Sequence, residues 1–301
     1  MILCCGEALI DMLPRQSESG EKCFAPHPGG SVFNTAVALG RLGAPAQFFS
    51  GIATDLFGDM LRAQLDASGV DSSPSALCHR PCTLAFVTLT DGHASYAFYD
   101  ENTAGRMLSP RDLPEETPQA LFFGGISLVV EPCGAAYETL MLREAPHKLT
   151  MVDPNIRPDF VKDETAYRAR LTRMLAAADI IKTSDEDLEW ITGGTDVATL
   201  FENSSTQVVL LTRGSAGVTV YTPQGSFDVP AVKADVVDTV GAGDTFSAGF
   251  LAQMERSGHL TKETLGDAAD DDLRAAAAFG AKVAAITVSR AGANPPWAFE
   301  L

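Results

Sequence analysis

Short apolar runs of strand length punctuate the chain at Met1–Cys5, Gln47–Ile52, Ala120–Gly124, Leu149–Asp153, Asp179–Lys182 and Val208–Thr212. Between them, apolar positions recur at helical spacing through Val32–Leu42, Phe57–Ser68, Ala135–Arg143 and Ala166–Ala177. The strands read as continuous apolar stretches rather than alternating ones, as strands covered on both faces do. Strand-then-helix alternation predicts an α/β fold, a mostly parallel central sheet flanked by helices.

One stretch breaks that rhythm. Cys82–Thr90 and His93–Asp100 read as two strands joined at Asp91-Gly92, a hairpin signal because Gly accepts positive φ. No helix follows the first of them, so the pair is expected to leave the main sheet and, with residues 12–28, to form a small β lid. Ala85, Val87, Ala97 and Tyr99 are expected on one covered face; the alternative is a decorative surface hairpin. The last third is helical, over Gly243–Arg256 and Asp271–Ala284. Asp270-Asp271-Asp272 suits a helix N-terminus through the macrodipole, with a metal site as the other option. No repeat or linker divides the chain, so residues 1–301 are expected to form a single domain carrying the lid segments 12–28 and 82–100.

Composition narrows the functional classes. A formal charge of −17 argues against a nucleic-acid partner, which needs a basic surface. The same charge repels any nucleotide, so a nucleotide enzyme must build a local positive patch. The six cysteines form no C-x-x-C pair and no zinc spacing, which fits reduced thiols in a cytoplasmic protein. Glu7 and Asp11 interrupt the apolar N-terminus, so no signal peptide is read there. No apolar run is long enough for a membrane helix.

The chemistry concentrates in Asp238-Thr-Val-Gly241-Ala242-Gly243-Asp244. Three small residues before a helix let backbone N–H groups approach an anion, with the helix dipole behind them. Asp244 falls in the first helical turn, where the dipole is expected to keep it ionised and available as a base; the other reading is a capping carboxylate. The loop is not a dinucleotide fingerprint, since Phe246 holds the place of the third glycine. Nor is it a P-loop, since no lysine follows a glycine.

That segment resembles the second signature of the ribokinase-like (PfkB) carbohydrate kinases. The first signature is matched by Gly29-Gly30-Ser-Val-Phe-Asn34 and its continuation to Gly43, about 200 residues earlier. The resemblance covers essentially the whole chain and implies ATP-dependent phosphorylation of a sugar hydroxyl. Asp244 is then the base, with Gly241, Ala242 and Gly243 as the anion hole. It makes Asp11, Gly29, Gly30 and Asn34 sugar ligands, where the bare residues allow an exposed Asp and a satisfied helix-start Asn. Asp153-Pro-Asn155-Ile-Arg157 is similar to the family's D-x-N-x-R element. Asn155 then lies at the sugar, and Arg157 is a phosphate clamp or, without the family, a surface ion pair.

Ser184-Asp-Glu186-Asp187 takes the place of the family's N-x-x-E element, which supports magnesium through water, with Ser for Asn and Asp for Glu. Thr212, Gly214 and Gly217 match the T-x-G-x-x-G nucleotide turn, which a bare reading makes a simple glycine turn. Lys182, Ala278 and Lys282 complete the nucleotide set, and Asp238, Val240, Ser289 and Gly292 a monovalent-cation loop for potassium. Stretches such as Gly6-Glu-Ala-Leu-Ile-Asp11 and Phe24-Ala-Pro-His-Pro-Gly-Gly30 resemble the family's bacterial fructokinases, which implies fructose. Phe98 and Arg106 join the expected sugar pocket, and Asp100-Glu101 after Phe98-Tyr99 would repel a sugar acid. Ribose, 2-keto-3-deoxygluconate, a nucleoside, or a non-catalytic sugar sensor stand as alternatives. Lid edges also invite pairing of two chains into a homodimer.

Overall fold

The computed structural model describes residues 1–90 and 93–301. In chain order the strands are β1 Ile2–Cys5, β2 Leu9–Gln16, β3 Lys22–Gly29, β4 Ala46–Phe49, β5 Gly51–Ala53, β6 Ala76–Cys78 and β7 Leu84–Thr90. They continue as β8 His93–Tyr99, β9 Ala120–Gly124, β10 Leu149–Asp153, β11 Ile180–Ser184, β12 Val208–Thr212, β13 Val218–Thr222 and β14 Gly225–Val229. The helices are α1 Ser31–Arg41, α2 Leu56–Ala67, α3 Cys133–Glu144, α4 Glu164–Ala177, α5 Asp185–Thr192, α6 Ala242–Arg256, α7 Lys262–Leu265 and α8 Asp270–Val288.

The main sheet runs β14-β13-β12-β11-β10-β9-β1-β4, parallel from β12 to β4, with β13 and β14 antiparallel at one edge. Successive residues of each strand enter opposite cores. Ile2, Cys4, Phe122, Met151 and Ile180 pack with α1, α2, α6 and α8 on one face. Leu3, Cys5, Phe123, Val152 and Ile181 pack with α3, α4 and α5 on the other. Each large apolar side chain so buried contributes about 1.5–3 kcal/mol, and the two-sided burial explains why the strands read as unbroken apolar runs. Helices α6 and α8 approach backbone to backbone, since a Cβ on Gly249 would lie 2.7 Å from Gly280 Cα. That contact holds α6 so that its N-terminus meets the carboxyl edge of the sheet.

A second sheet, β3-β2-β7-β8, contains residues 12–16 and 22–28 together with the 84–99 pair. The expected turn at Asp91-Gly92 lies outside the described residues. The expected covered face is corrected by the pairing. Ala85 stands opposite Phe98 and Phe86 opposite Ala97, and directly paired residues share a face. Ala85 and Val87 are therefore buried on one face, while Ala97 and Tyr99 lie with Phe86 on the other, where Tyr99 is 62% exposed.

The run Gln47–Ile52 is also not one strand. It breaks at the buried Ser50, after which β5 pairs with β6 in a separate two-stranded sheet. Ser50 gives its carbonyl to Ala76 N and its N–H to Ser75 Oγ, which turns the chain out of the main sheet. All six cysteines are free, and Asp272 caps α8 through Ala269 N at 3.1 Å. Among the described residues, no helix is long and apolar enough to cross a membrane.

Candidate active site

Strands β1 and β10 end side by side with only β9 between them, and the turns that follow open a cavity of about 310 Å³. Its walls are the β1–β2 turn with Glu7, Leu9 and Asp11, the start of α1, Phe98 of β8, and the 125–126 turn. Asn155, Arg157 and the segment 239–244 complete it. Parallel sheets offer ligands this carboxyl edge.

Asp244 occupies the third position of α6 and is 7% exposed. It does not cap its own helix. The start of α6 is Gly241, in the left-handed region at φ 78, with no side-chain cap. The carboxylate instead receives Ser31 Oγ on Oδ1 at 2.7 Å and Asn34 Nδ2 on Oδ2 at 2.9 Å. Burial pushes its pKa up, against the expectation that the dipole keeps it ionised. The Asn34 and Ser31 donors, and the Lys182 ammonium, pull it back down, while Asp153 pushes it further up. Asp11, a residue along β2, is raised to about 6 by burial and by the charge of Asp244.

Lys182 lies beneath the loop, buried, with its ammonium 3.0 Å from Asp153 Oδ2. A Cβ on Gly243 would sit 3.0 Å from that nitrogen, so the cation backs the amides of 241–244. Burial acts to lower the Lys182 pKa, and Asp153, with Asp187 and Asp244, overrides it so that the net shift is upward. Arg157, exposed on the cavity wall, has no carboxylate partner among the described residues. Its guanidinium rests on its own chain, on Ile156 O at 3.0 Å. The surface-ion-pair alternative thus has no support. Together with the first N–H groups of α6, which lack acceptors within the helix, these two cations supply positive potential inside an acidic molecule.

The sugar-side residues converge as expected, with Gly29 beside them at the end of β3, paired to Leu9. Arg106 does not. Its guanidinium turns to Asp100 Oδ2 at 3.0 Å and Glu131 O at 3.2 Å, in a small neighbouring cavity. Asp100 is buried, and pairing is what makes its charge tolerable there.

Of the residues expected at a nucleotide, Thr212, Gly214 and Gly217 form the end of β12 and a single 3₁₀ turn at Gly214–Ala216. Thr212 Oγ1 donates to Thr183 O at 3.2 Å. Ala278 and Lys282 are exposed on α8, and Lys282 Nζ donates to Leu301 O at 3.2 Å. None of these five lines the cavity.

The metal expectations separate. Ser184 caps α5, donor Asp187 N at 3.1 Å, and Asp187 folds inward to accept Ile156 N at 3.0 Å, leaving Glu186 exposed. Asp187 thus supports the 155–157 turn. No cluster of three or more metal-ligating side chains forms among the described residues. Asp238 ties the 238–240 and 289–292 segments together by accepting Val240 N at 3.0 Å and Gly292 N at 2.9 Å; Ser289, exposed, donates to Ile286 O.

Two residues at the centre had no assigned role in the sequence. Glu7 accepts Ser31 N at 2.9 Å and Ser127 N at 3.3 Å, pinning two walls. A Cβ on Gly125, at φ 69, would collide with that carboxylate. The other is Ser31. The signal for both was proximity to matched positions, Glu7 between Gly6 and Asp11 and Ser31 directly after Gly30.

The chain matches the pfkB family carbohydrate kinase over residues 1–299. It is 52% identical to the fructokinase of Rhizobium leguminosarum bv. trifolii, over 91% of this chain and 86% of that protein. Among solved structures it is similar to the fructokinase with bound ATP from Xylella fastidiosa, at TM-score 0.87 and 28% identity, covering 97% and 93% of the two chains. It is also similar to the aminoimidazole riboside kinase of Salmonella enterica, complexed with aminoimidazole riboside and an ATP analog. There the TM-score is 0.83 and the identity 25%, with 97% and 94% covered.

Proposed function

The chain belongs to the pfkB family of carbohydrate kinases, and from that premise we propose that it transfers the γ-phosphoryl group of ATP to the 6-hydroxyl of fructose. The observation that carries the chemistry is Asp244, a buried carboxylate beside the N-terminus of α6 and open to the cavity. Identity with the Rhizobium fructokinase supports fructose as the acceptor. So does the charge at the sugar end. Glu7 and Asp11 line it, and Arg106, the cation that could meet a sugar-acid carboxylate, is engaged by Asp100.

In this reading Asp11, Gly30, Asn34 and Asn155 orient the sugar, and the small sheet closes Phe98 over it, excluding water that would hydrolyse ATP. Asp244 accepts the hydroxyl proton as the new O–P bond forms and the bond to the bridging oxygen of ADP breaks. The 241–243 amides and Arg157 hold charge on the moving phosphoryl group. The nucleotide lies along Thr212, Gly214, Gly217, Ala278 and Lys282, over the buried Lys182. Magnesium would supply charge neutralisation on the phosphates, with Glu186 as the carboxylate that would hold it through water. Asp238, Val240, Ser289 and Gly292 would hold a potassium ion.

The test is ADP release from magnesium–ATP with fructose, ribose, 2-keto-3-deoxygluconate and adenosine offered separately. Fructose should be preferred, and Asp244→Asn should still fold while losing about 10²–10⁴-fold in kcat. Near-normal turnover by Asp244→Asn removes it from the mechanism, and preference for another acceptor overturns the sugar assignment.

The reading extends to assembly. On the outer face of the small sheet Phe24 and Tyr99 are exposed and stack edge-on against Phe86, at 5.0 and 5.4 Å. A second copy covering these rings would give a homodimer. Sedimentation should then show a dimer that Tyr99→Glu dissociates; a monomeric wild type sinks this part of the proposal.

A further inference from the structure

Ser31 is the first residue of α1, and its hydroxyl sits between two polar side chains brought from distant parts of the chain. Asn155 Nδ2 lies 2.7 Å from Ser31 Oγ, and Ser31 Oγ lies 2.7 Å from Asp244 Oδ1. The polarity of this pair of contacts has one solution. An amide nitrogen only donates and an ionised carboxylate only accepts, so Oγ must accept from Asn155 and give its single hydrogen to Asp244.

The donor at the head of the chain is itself fixed. Asn155 holds the left-handed conformation, φ 44. The next N–H, of Ile156, is bound by Asp187, whose own N–H is bound by Ser184. The main-chain N–H of Ser31 is fixed separately by Glu7. A hydroxyl constrained this way loses little rotational freedom when it donates, so its bond to Asp244 is preorganised.

We propose that Ser31 is a positioning residue for phosphoryl transfer, a hydroxyl whose direction is set by Asn155 and which holds Oδ1 of the base as an acceptor turned toward the sugar. The proposal rests on Asp244 being the base. It also accounts for how a carboxylate this buried works as a base at all. Asp153 of β10, Glu7 after β1 and Asp11 of β2 face it with like charge, against Lys182 of β11 beneath it and Arg157 on the cavity wall. Two hydrogen bonds, from Asn34 and Ser31, act with Lys182 against that surplus, while burial keeps the net shift upward.

The experiment is kcat against pH at saturating fructose and magnesium–ATP, for wild type, Ser31→Ala, Ser31→Thr, Asn155→Gly and the Ser31→Ala/Asn155→Gly pair. Using kcat rather than kcat/KM separates the base from Asp11, which acts on sugar binding. Ser31→Ala should move the acid limb of kcat up by about one pH unit, an about tenfold loss on that limb, with a smaller loss on the alkaline plateau. Ser31→Thr should restore the limb. Asn155→Gly keeps the left-handed backbone available and should shift the limb in the same direction, and the pair should shift it no further than the larger single change.

An unmoved limb, a loss equal at all pH values, failure of Thr to rescue, or additive shifts in the pair would overturn the proposal. Asp244→Asn in the same series separates the two claims. If it is inactive while Ser31→Ala keeps the wild-type limb, only the positioning role falls. If it turns over normally, the base assignment falls and this inference with it.

Discussion

At the end of the cleft proposed to hold the acceptor, Glu7, Asn34 and Asp244 are polar side chains less than a tenth exposed, each held by at least one named partner. Where the nucleotide is proposed to lie, Thr212, Gly214, Gly217, Ala278 and Lys282 offer backbone, small residues and one solvent-facing amine. The difference follows from what each end must do. Fixing one hydroxyl against one phosphorus needs directional donors and acceptors that cannot drift, and withdrawal from water strengthens them. A flat base and a flexible triphosphate need room and N–H groups, which short side chains leave available. Disturbance should therefore be costly at the first end and mild at the second.

The largest contrast should come from Asp11→Asn. It removes a charged acceptor from the sugar end, so KM for fructose should rise about 10–100-fold, the worth of hydrogen bonds to a charged group, with KM for ATP unmoved. Equal changes in both constants would erase the distinction between the two ends.

The pH dependence sharpens it next. Asp11 titrates near 6 because burial and Asp244 raise it. In the proposed reading its ionised form is the acceptor for sugar hydroxyls, so binding should be complete above that pH and be lost as pH falls through it. KM for fructose should increase about tenfold between pH 7 and pH 5, a trend that Asp11→Asn should flatten. A fructose KM constant over that interval would rule out this role.

The smallest effect belongs to Thr212→Val, which removes one hydroxyl from an open turn. KM for ATP should rise only about two- to fivefold, with KM for fructose unaffected. A loss as large as that of Asp11→Asn would place the nucleotide end in the same class as the sugar end.

The sheet was legible because its strands are buried on both sides, and β9, β10 and β12 match their apolar runs to the residue. The break at Ser50 was not, because its cause is a partner at Ser75 rather than anything in the run itself. The face of the 84–99 pair was misread because its register had been left open, and one residue of register exchanges every side chain between faces.

The site divides in the same way. Residues inside the two signatures were found, and their carboxylates and amides do meet. Ser31 was missed because its importance depends on Asp244 and Asn155, which are 213 and 124 positions away. Arg106 was misplaced because Asp100, read only as a repulsive charge, turned out to be its buried counterion.

Asn34 stands on α1 and Asp244 on α6, and the two helices are laced at this point by that side-chain bond and by Thr35 Oγ1 on Asp244 O at 3.2 Å. Any mutation that remodels Asn34 also disturbs Asp244, so this joint is closed to piecemeal change. Phe98 and Asp11 come from a different sheet, on β8 and β2. A descendant lineage, or an engineer, seeking a new acceptor has a free hand on the small sheet and very little on the helices. Substrate diversification should accumulate on that sheet while the α1–α6 joint is inherited intact.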